Sequence, residues 1–182
     1  MAIEIERKFL VNPRSWTGIP EDVKKISRLR QAYLTTDPVR VVRVRTEEVT
    51  CYPNYPLPAT IGYLTIKGKK VGASGQEWEY PIPFDEAVAM MKTVVLPNSI
   101  IEKIRYVLPL PGSPLLEIEV DHFQGRHQGM IVAEVELPNE DTEFEVPPWF
   151  GPEVTNDTFF SNLSLALAPE FHLHALNARF FK

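Results

Sequence analysis

The sequence predicts a mainly β (α+β) protein: an eight-stranded antiparallel β-barrel, or tunnel, with a charged lumen and a few covering helices. Three observations predict it. Eight short segments alternate polar and apolar residues, and most are joined by turns rather than long crossovers. In seven of them the polar positions carry charges, and the charges of a segment mostly share one sign. Nine of the seventeen prolines cluster at 53–58, 109–114 and 147–152, which marks those stretches as loops.

The first strand spans 2–11, where Glu4, Glu6 and Lys8 alternate with Ile3, Ile5 and Phe9. Successive side chains of a strand point to opposite faces, so one face carries the charges and the other is mainly apolar. Residues 13–22 read as a turn or short helical segment. Strands follow at 26–35 and 39–46, then a long Pro/Tyr-rich loop at 47–59. A strand at 60–69 leads through a glycine-rich turn to another at 76–82. Asp85 reads as the N-cap of a helix over 86–94, which Pro97 ends. Strands at 100–110, 115–123 and 129–138 complete the set. A helix over 155–167 and a helical tail over 169–182 close the chain, giving one domain over 1–182 with a helical C-terminal region from about 155.

The charges sort by strand. Arg43 and Arg45 share the third, Lys67 and Lys69 the fourth, and Glu77 and Glu79 the fifth. Lys103 and Arg105 share the sixth, Glu117, Glu119 and Asp121 the seventh, and Glu134 and Glu136 the eighth. A half-exposed sheet with its charges in water is the ordinary reading of any one such strand. Solvated faces mix signs, however, and like charges two residues apart repel by roughly 1 kcal/mol or less. A charged lumen accounts for the sorting, with the apolar outer face under helices, loops or a partner. Such a lumen needs internal acid–base pairing and a ligand, because unpaired buried charge is costly. Arg and Lys suit phosphate oxygens, and carboxylates suit hard divalent cations that bridge to phosphate. If the barrel closes, its first and last strands are neighbours, which brings Glu4, Glu6, Glu134 and Glu136 together. Lys103, among other cations, is a candidate general base or water-positioning group with the Tyr33 hydroxyl in support; the alternative is one more phosphate ligand, with Tyr33 a wall residue of the lumen.

The remaining signals point elsewhere. A net charge of −5 argues against a broad nucleic-acid surface. Cys51 is the single cysteine, and no apolar run reaches membrane-spanning or signal-peptide length; both suit a soluble cytoplasmic protein. Lys69, Lys70, Arg28, Arg30, His172 and His174 read as surface groups, and Trp16, Trp78 and Trp149 as packing residues.

The ordered set Glu4-x-Glu6-x-Lys8, Arg43-x-Arg45, Leu64-Thr-Ile-Lys-Gly68, Glu77-x-Glu79, Glu102-Lys-x-Arg-Tyr106, Glu117-Ile-Glu-Val-Asp-x-Phe123 and Ala133-Glu-Val-Glu136 resembles the CYTH domain. That domain is the bacterial branch of the triphosphate tunnel metalloenzymes. The resemblance runs over about residues 2–165 and includes the stretch Glu153–Leu163. It implies an eight-stranded tunnel open to solvent that hydrolyses triphosphate compounds with Mg²⁺ or Mn²⁺. It implies substrate-binding roles for Lys8, Arg43, Arg45, Lys67, Lys103 and Arg105, and metal-binding roles for Glu4, Glu6, Glu134 and Glu136. Lys103, Tyr33 and Glu6 carry the expected catalysis. The leading expectation is hydrolysis of inorganic tripolyphosphate to diphosphate and phosphate. Hydrolysis of thiamine triphosphate or a nucleoside triphosphate, adenylate cyclisation, and a non-catalytic polyphosphate or nucleotide sensor are the alternatives. The expected partner is a small triphosphate compound, with no nucleic-acid polymer and no membrane; a homodimer is left open.

Overall fold

A computed structural model describes residues 2–51, 59–69, 71–93, 95–168, 176 and 179–181. The strands are β1 (Ala2–Val11), β2 (Lys25–Tyr33), β3 (Val41–Cys51), β4 (Ala59–Lys67), β5 (Ser74–Ile82), β6 (Ile101–Leu110), β7 (Ser113–Phe123), β8 (Ile131–Glu136) and β9 (Phe150–Glu153). The helices are α1 (Phe84–Thr93) and α2 (Asn162–Leu167). Every pairing is antiparallel, in the order β5-β4-β3-β2-β6-β7-β8-β1. Residues 2–5 of β1 then pair with 77–74 of β5 and close the eight-stranded barrel. Closure removes the free edges that an open sheet of this size would expose. The first strand therefore lies between the fifth and the eighth, and β9 takes the edge of β1 that β5 leaves free beyond residue 5.

Side-chain parity gives the barrel a charged interior. The apolar outer face of β1, β6, β7 and β8 forms a cluster of Ile5, Val11, Leu108, Leu110, Ile118, Val120, Ala133 and Val135, under Trp16, Val23, Phe144 and Trp149 from the connecting segments. Helix α1 covers β2, β3 and β4 by burying Ala87 and Met91 against Ala32 and Val44. Its approach is so close that a Cβ on Gly62 of β4 would lie 2.7 Å from the Ala87 Cβ. Asp85 and Glu86 in its first turn and Lys92 in its last complement the helix dipole. The inner face is not charged throughout. Leu10, Ile101, Phe123 and Val132 share parity with the charged residues of their strands, Tyr33 shares that of Gln31 and is opposite to the exposed Arg28 and Arg30, and all five pack with Leu163, Leu165 and Ala166 of α2. This apolar plug fills part of one end of the lumen that the sequence reading left open to solvent.

Other expectations change in detail. The stretch 47–51 is strand, because Glu47, Glu48 and Val49 pair with β2 on one side and β4 on the other. The rest of the expected loop, 52–58, lies outside the described residues. Strand β9 falls within a proline cluster read as loop; it is four residues long and lies at an edge, where Pro152 is tolerated. The expected helix over 155–167 is two pieces. Asp157 accepts a hydrogen bond from Phe159 N and starts a 3₁₀ turn over Thr158–Phe160. Ser161 then accepts from Ser164 N and starts α2. Two capping side chains in succession replace one continuous helix. Residues 13–22 form turns without a helix. Of the expected 169–182 tail, Leu176, Arg179 and Phe180 are described and helical, while His172 and His174 lie outside the described residues, as does Lys70. No helix among the described residues is long and apolar enough to cross a membrane.

Candidate active site

The strand register brings the predicted charges together. Glu6 lies opposite Glu136 and Lys8 opposite Glu134 across β1 and β8. Lys8 Nζ is 2.8 Å from Glu134 Oε1 and 3.7 Å from Glu6 Oε1. Lys67 Nζ lies 2.7 Å from both Glu4 Oε2 and Glu77 Oε2. Arg43 donates to Thr65 Oγ1 at 3.1 Å and to Glu79 Oε2 at 3.2 Å. Arg45 donates to Glu79 Oε1 at 3.1 Å, with its guanidinium 4.7 Å from the centre of the Tyr63 ring. Arg105 donates twice to Asp121 at 2.7 Å, to Glu134 at 3.1 Å and to Glu119. Lys103 is 1% exposed and donates to Asp121. Eight carboxylates (Glu4, Glu6, Glu77, Glu79, Glu119, Asp121, Glu134 and Glu136) thus share the interior with six cations (Lys8, Arg43, Arg45, Lys67, Lys103 and Arg105).

Two joined cavities run through this interior. The first, of about 400 Å³, is lined by Glu4, Glu6, Arg43, Arg45, Lys67, Glu77, Glu79, Arg105, Glu119, Glu134, Glu136 and Asn162. The second, of about 350 Å³, shares Glu4, Glu6, Arg43, Lys67 and Asn162 with it. It adds Lys8, Tyr33, Val41, the turn glycines 68, 72 and 75, and the segment 154–164.

Electrostatics divides the acids into two groups. Burial works against the Glu134 charge, yet Lys8, Lys103 and Arg105 hold its carboxyl well below the usual range. Asp121 is depressed despite burial by Arg105 and Lys103, and Glu79 by Arg45 and Arg43. Glu4 and Glu136 behave oppositely. Burial raises Glu4, with the neighbouring Glu77 adding to the rise and Lys67 opposing it. Burial also raises Glu136, reinforced by Glu119, Glu4 and Glu6. Negative charge is therefore in local excess where Glu4, Glu6, Glu119 and Glu136 meet. Among the bases, burial and Arg105 bring Lys103 down to about 8 in spite of Asp121. Lys8 rises instead: burial lowers it, but Glu134 and Glu6 outweigh burial.

Each sequence-predicted site residue lines one of the two cavities except Lys103, which is sealed behind Asp121 and the ring of Phe123. Two expected groupings take a different form. The Tyr33 hydroxyl accepts from Gln31 Nε2 at 3.1 Å, so Lys103 and Tyr33 share no hydrogen bond. Ion pairing decides this, since a buried ammonium gains more from Asp121 than from a neutral phenol. The carboxylates Glu4, Glu6, Glu134 and Glu136 line one cavity but are not drawn into a cage. Among the described residues no three His, Cys, Asp or Glu side chains stand ready around a metal position. Lys67 holds Glu4, and Lys8 and Arg105 hold Glu134. The donor chemistry still fits a hard divalent cation, as carboxylate oxygens are what such ions take. Sequence reasoning did not select Thr65, which bridges Arg43 and Glu79, or Gln31. It also missed Glu47, a buried acid that accepts from Ser27 at 2.7 Å and pairs with Lys25 at 3.0 Å. The signal for Glu47 was its parity with Arg43 and Arg45, which the loop assignment hid.

Comparison with known proteins places the chain. The family model described as CYTH domain matches residues 2–165. An inorganic triphosphatase of Acetivibrio thermocellus is 36% identical over 169 residues, covering 93% of this chain and 96% of the relative. An inorganic triphosphatase of Nitrosomonas europaea is 35% identical over 167 residues, covering 91% and 97%. The crystal structure of the inorganic triphosphatase NE1496 superposes with a TM-score of 0.62 at 32% identity, covering 94% of this chain and 99% of that one.

Proposed function

The chain belongs to the CYTH domain family, and from that premise we propose that it is a divalent-metal-dependent triphosphatase that converts inorganic tripolyphosphate to diphosphate and phosphate. One observation carries the reading: a closed lumen in which six cations are interleaved with eight carboxylates. The cations suit phosphate oxygens and the carboxylates suit a divalent ion, so the interior suits a phosphate chain together with a divalent ion. The relatives named as inorganic triphosphatases support the choice of substrate.

Lys8, Arg43, Arg45, Lys67 and Arg105 bind phosphate oxygens and offset the charge that grows as the bridging P–O bond lengthens. Guanidiniums held rigidly by Asp121, Glu79 and Thr65 need little reorganisation to do so. Glu4, Glu6, Glu134 and Glu136 would hold Mg²⁺ or Mn²⁺, which supplies Lewis acidity and a more acidic water when bound. Lys103, brought down to about 8 but sealed from both cavities, would exchange a proton with the lumen only by way of Asp121 and Arg105, and Asp121 fixes its amine. Tyr33 orients the chain end beside Arg43 rather than supporting Lys103. The lone Cys51 fits a cytoplasmic setting.

The test is a phosphate-release panel with tripolyphosphate, ATP and thiamine triphosphate, each with Mg²⁺, Mn²⁺ or Ca²⁺. Tripolyphosphate with Mg²⁺ or Mn²⁺ should give the highest kcat/KM. A higher value for either organic substrate would move the assignment to an organic triphosphatase, and metal-dependent binding without turnover would make the protein a sensor.

A further inference from the structure

The two cavities open to solvent at different places, and the openings differ in charge. Glu79, Glu119 and Glu136 stand at the first, and among the described residues no lysine or arginine lining that cavity is exposed there. The whole lining of that cavity holds seven carboxylates, Glu4, Glu6, Glu77, Glu79, Glu119, Glu134 and Glu136, and four cations, Arg43, Arg45, Lys67 and Arg105. The second opening lies between the 72–76 turn and the 154–164 segment, where Pro38, Gly72, Gln76, Asn156 and Thr158 are exposed. Behind this neutral rim, Lys8, Arg43 and Lys67 balance Glu4, Glu6 and Asp157. Arg43 and Arg45 hold Glu79 and Arg105 holds Glu119, but with seven carboxylates against four cations the first lining is still less favourable to a polyanion than the second, which has three of each.

We propose that the phosphate chain enters and leaves through the second opening, as an end-on port beside the apolar plug, and not through the wide acidic mouth. The inference rests on the triphosphatase reading and adds a route to it. From the port the chain meets a lining in which Lys8, Arg43 and Lys67 match Glu4, Glu6 and Asp157 one for one. Asn162, the first residue of α2, lines both cavities and marks the neck between port and lumen. The acidic mouth is left to cations and water, which keeps the two charged reactants on separate approaches.

Asn156 is exposed at the port rim, and Glu117, also exposed, lies two residues before Glu119 on the same face of β7. In a Cys51→Ser background, Asn156→Cys and Glu117→Cys are each capped with a bulky maleimide, and thermal melts verify that both fold. Association of tripolyphosphate with the metal-free protein is followed by stopped-flow tryptophan fluorescence, alongside kcat/KM for hydrolysis. The adduct at 156 should slow association and lower kcat/KM by about tenfold or more, and the adduct at 117 by less than about twofold. Without any adduct, Asn156→Lys should speed association by about threefold at low ionic strength and lose the gain at high salt. Equal effects of the two adducts, or a larger effect at 117, overturn the port. Absence of hydrolysis in the unmodified protein would instead defeat the triphosphatase reading, because the association rates still report the route.

Discussion

The environment of Lys103 works against its charge. Burial and Arg105 outweigh the adjacent Asp121 and leave the amine near 8. Below that pH the group is an ammonium, and above it a free amine able to accept a proton. If it accepts the proton of the attacking water, kcat should climb from pH 7 toward 9 and then level. Lys103→Arg keeps the charge but should flatten this limb and lower the rate at pH 8 by about 10- to 100-fold; unchanged pH profiles would reduce Lys103 to a structural cation. Glu6→Gln removes one metal-facing charge while keeping shape. It should cost about 100-fold in kcat, or ~2.7 kcal/mol of barrier, and near-normal turnover at saturating Mg²⁺ would remove Glu6 from the metal set. At this scale the sequence was partly legible. Period-two spacing told which face Glu4, Arg43, Lys67 and Glu134 occupy. It did not tell which acid each base would choose, since Asp121 reaches Lys103 only through the β6–β7 register.

Among elements, α1 and β4 meet at a contact that leaves no room for a methyl group. Gly62→Ala should therefore destabilise the fold by about 1–3 kcal/mol, a fall in Tm of roughly 2–12 °C. Activity per folded molecule should stay normal, since α1 packs on the outer wall. A differential scanning measurement with an active-site titration separates the two effects. Ser161→Ala should cost about 1 kcal/mol by removing the cap of α2. Long alternating strands such as β1 and β7 were readable because their pattern is local. Strand β9 was not, because a four-residue edge strand owes its existence to the edge of β1 rather than to its own composition. The division at Ser161 was legible in principle, as a serine three residues ahead of Ser164 is a helix-start signal.

The molecule as a whole is a barrel with its apolar face outward and its charges within, and acid should open it from the inside. Glu47, Glu77, Glu79, Asp121 and Glu134 titrate below their ordinary values in the fold. Each contributes stability that is complete above its unfolded pKa and lost as pH falls through the folded one. Glu4, Glu119 and Glu136 lie above their ordinary values, so protonating them first relieves repulsion. Tm should hold or rise slightly from pH 7 toward 5, then fall steeply below about 4 as the cations lose their partners. A Tm that declines steadily from pH 7 would contradict this division of the acids. The fold class was legible at this scale because same-sign charges on successive strands make sense only around a common axis. The apolar plug was not, because Leu10 and Val132 read as ordinary core residues until the register put them in the lumen.

The salt bridges of the lumen give binding the character of ion exchange. A phosphate group that takes Arg105 or Lys67 must release Glu134 or Glu4, which these cations now hold. The released carboxylates are the ones expected to grip the metal. Substrate and metal should therefore bind with positive cooperativity, and by linkage each should tighten the other by the same factor. Calorimetric titrations of tripolyphosphate with and without Ca²⁺ as a slow-turnover ion, and of Ca²⁺ with and without tripolyphosphate, should return that factor from both directions once complexation in free solution is subtracted.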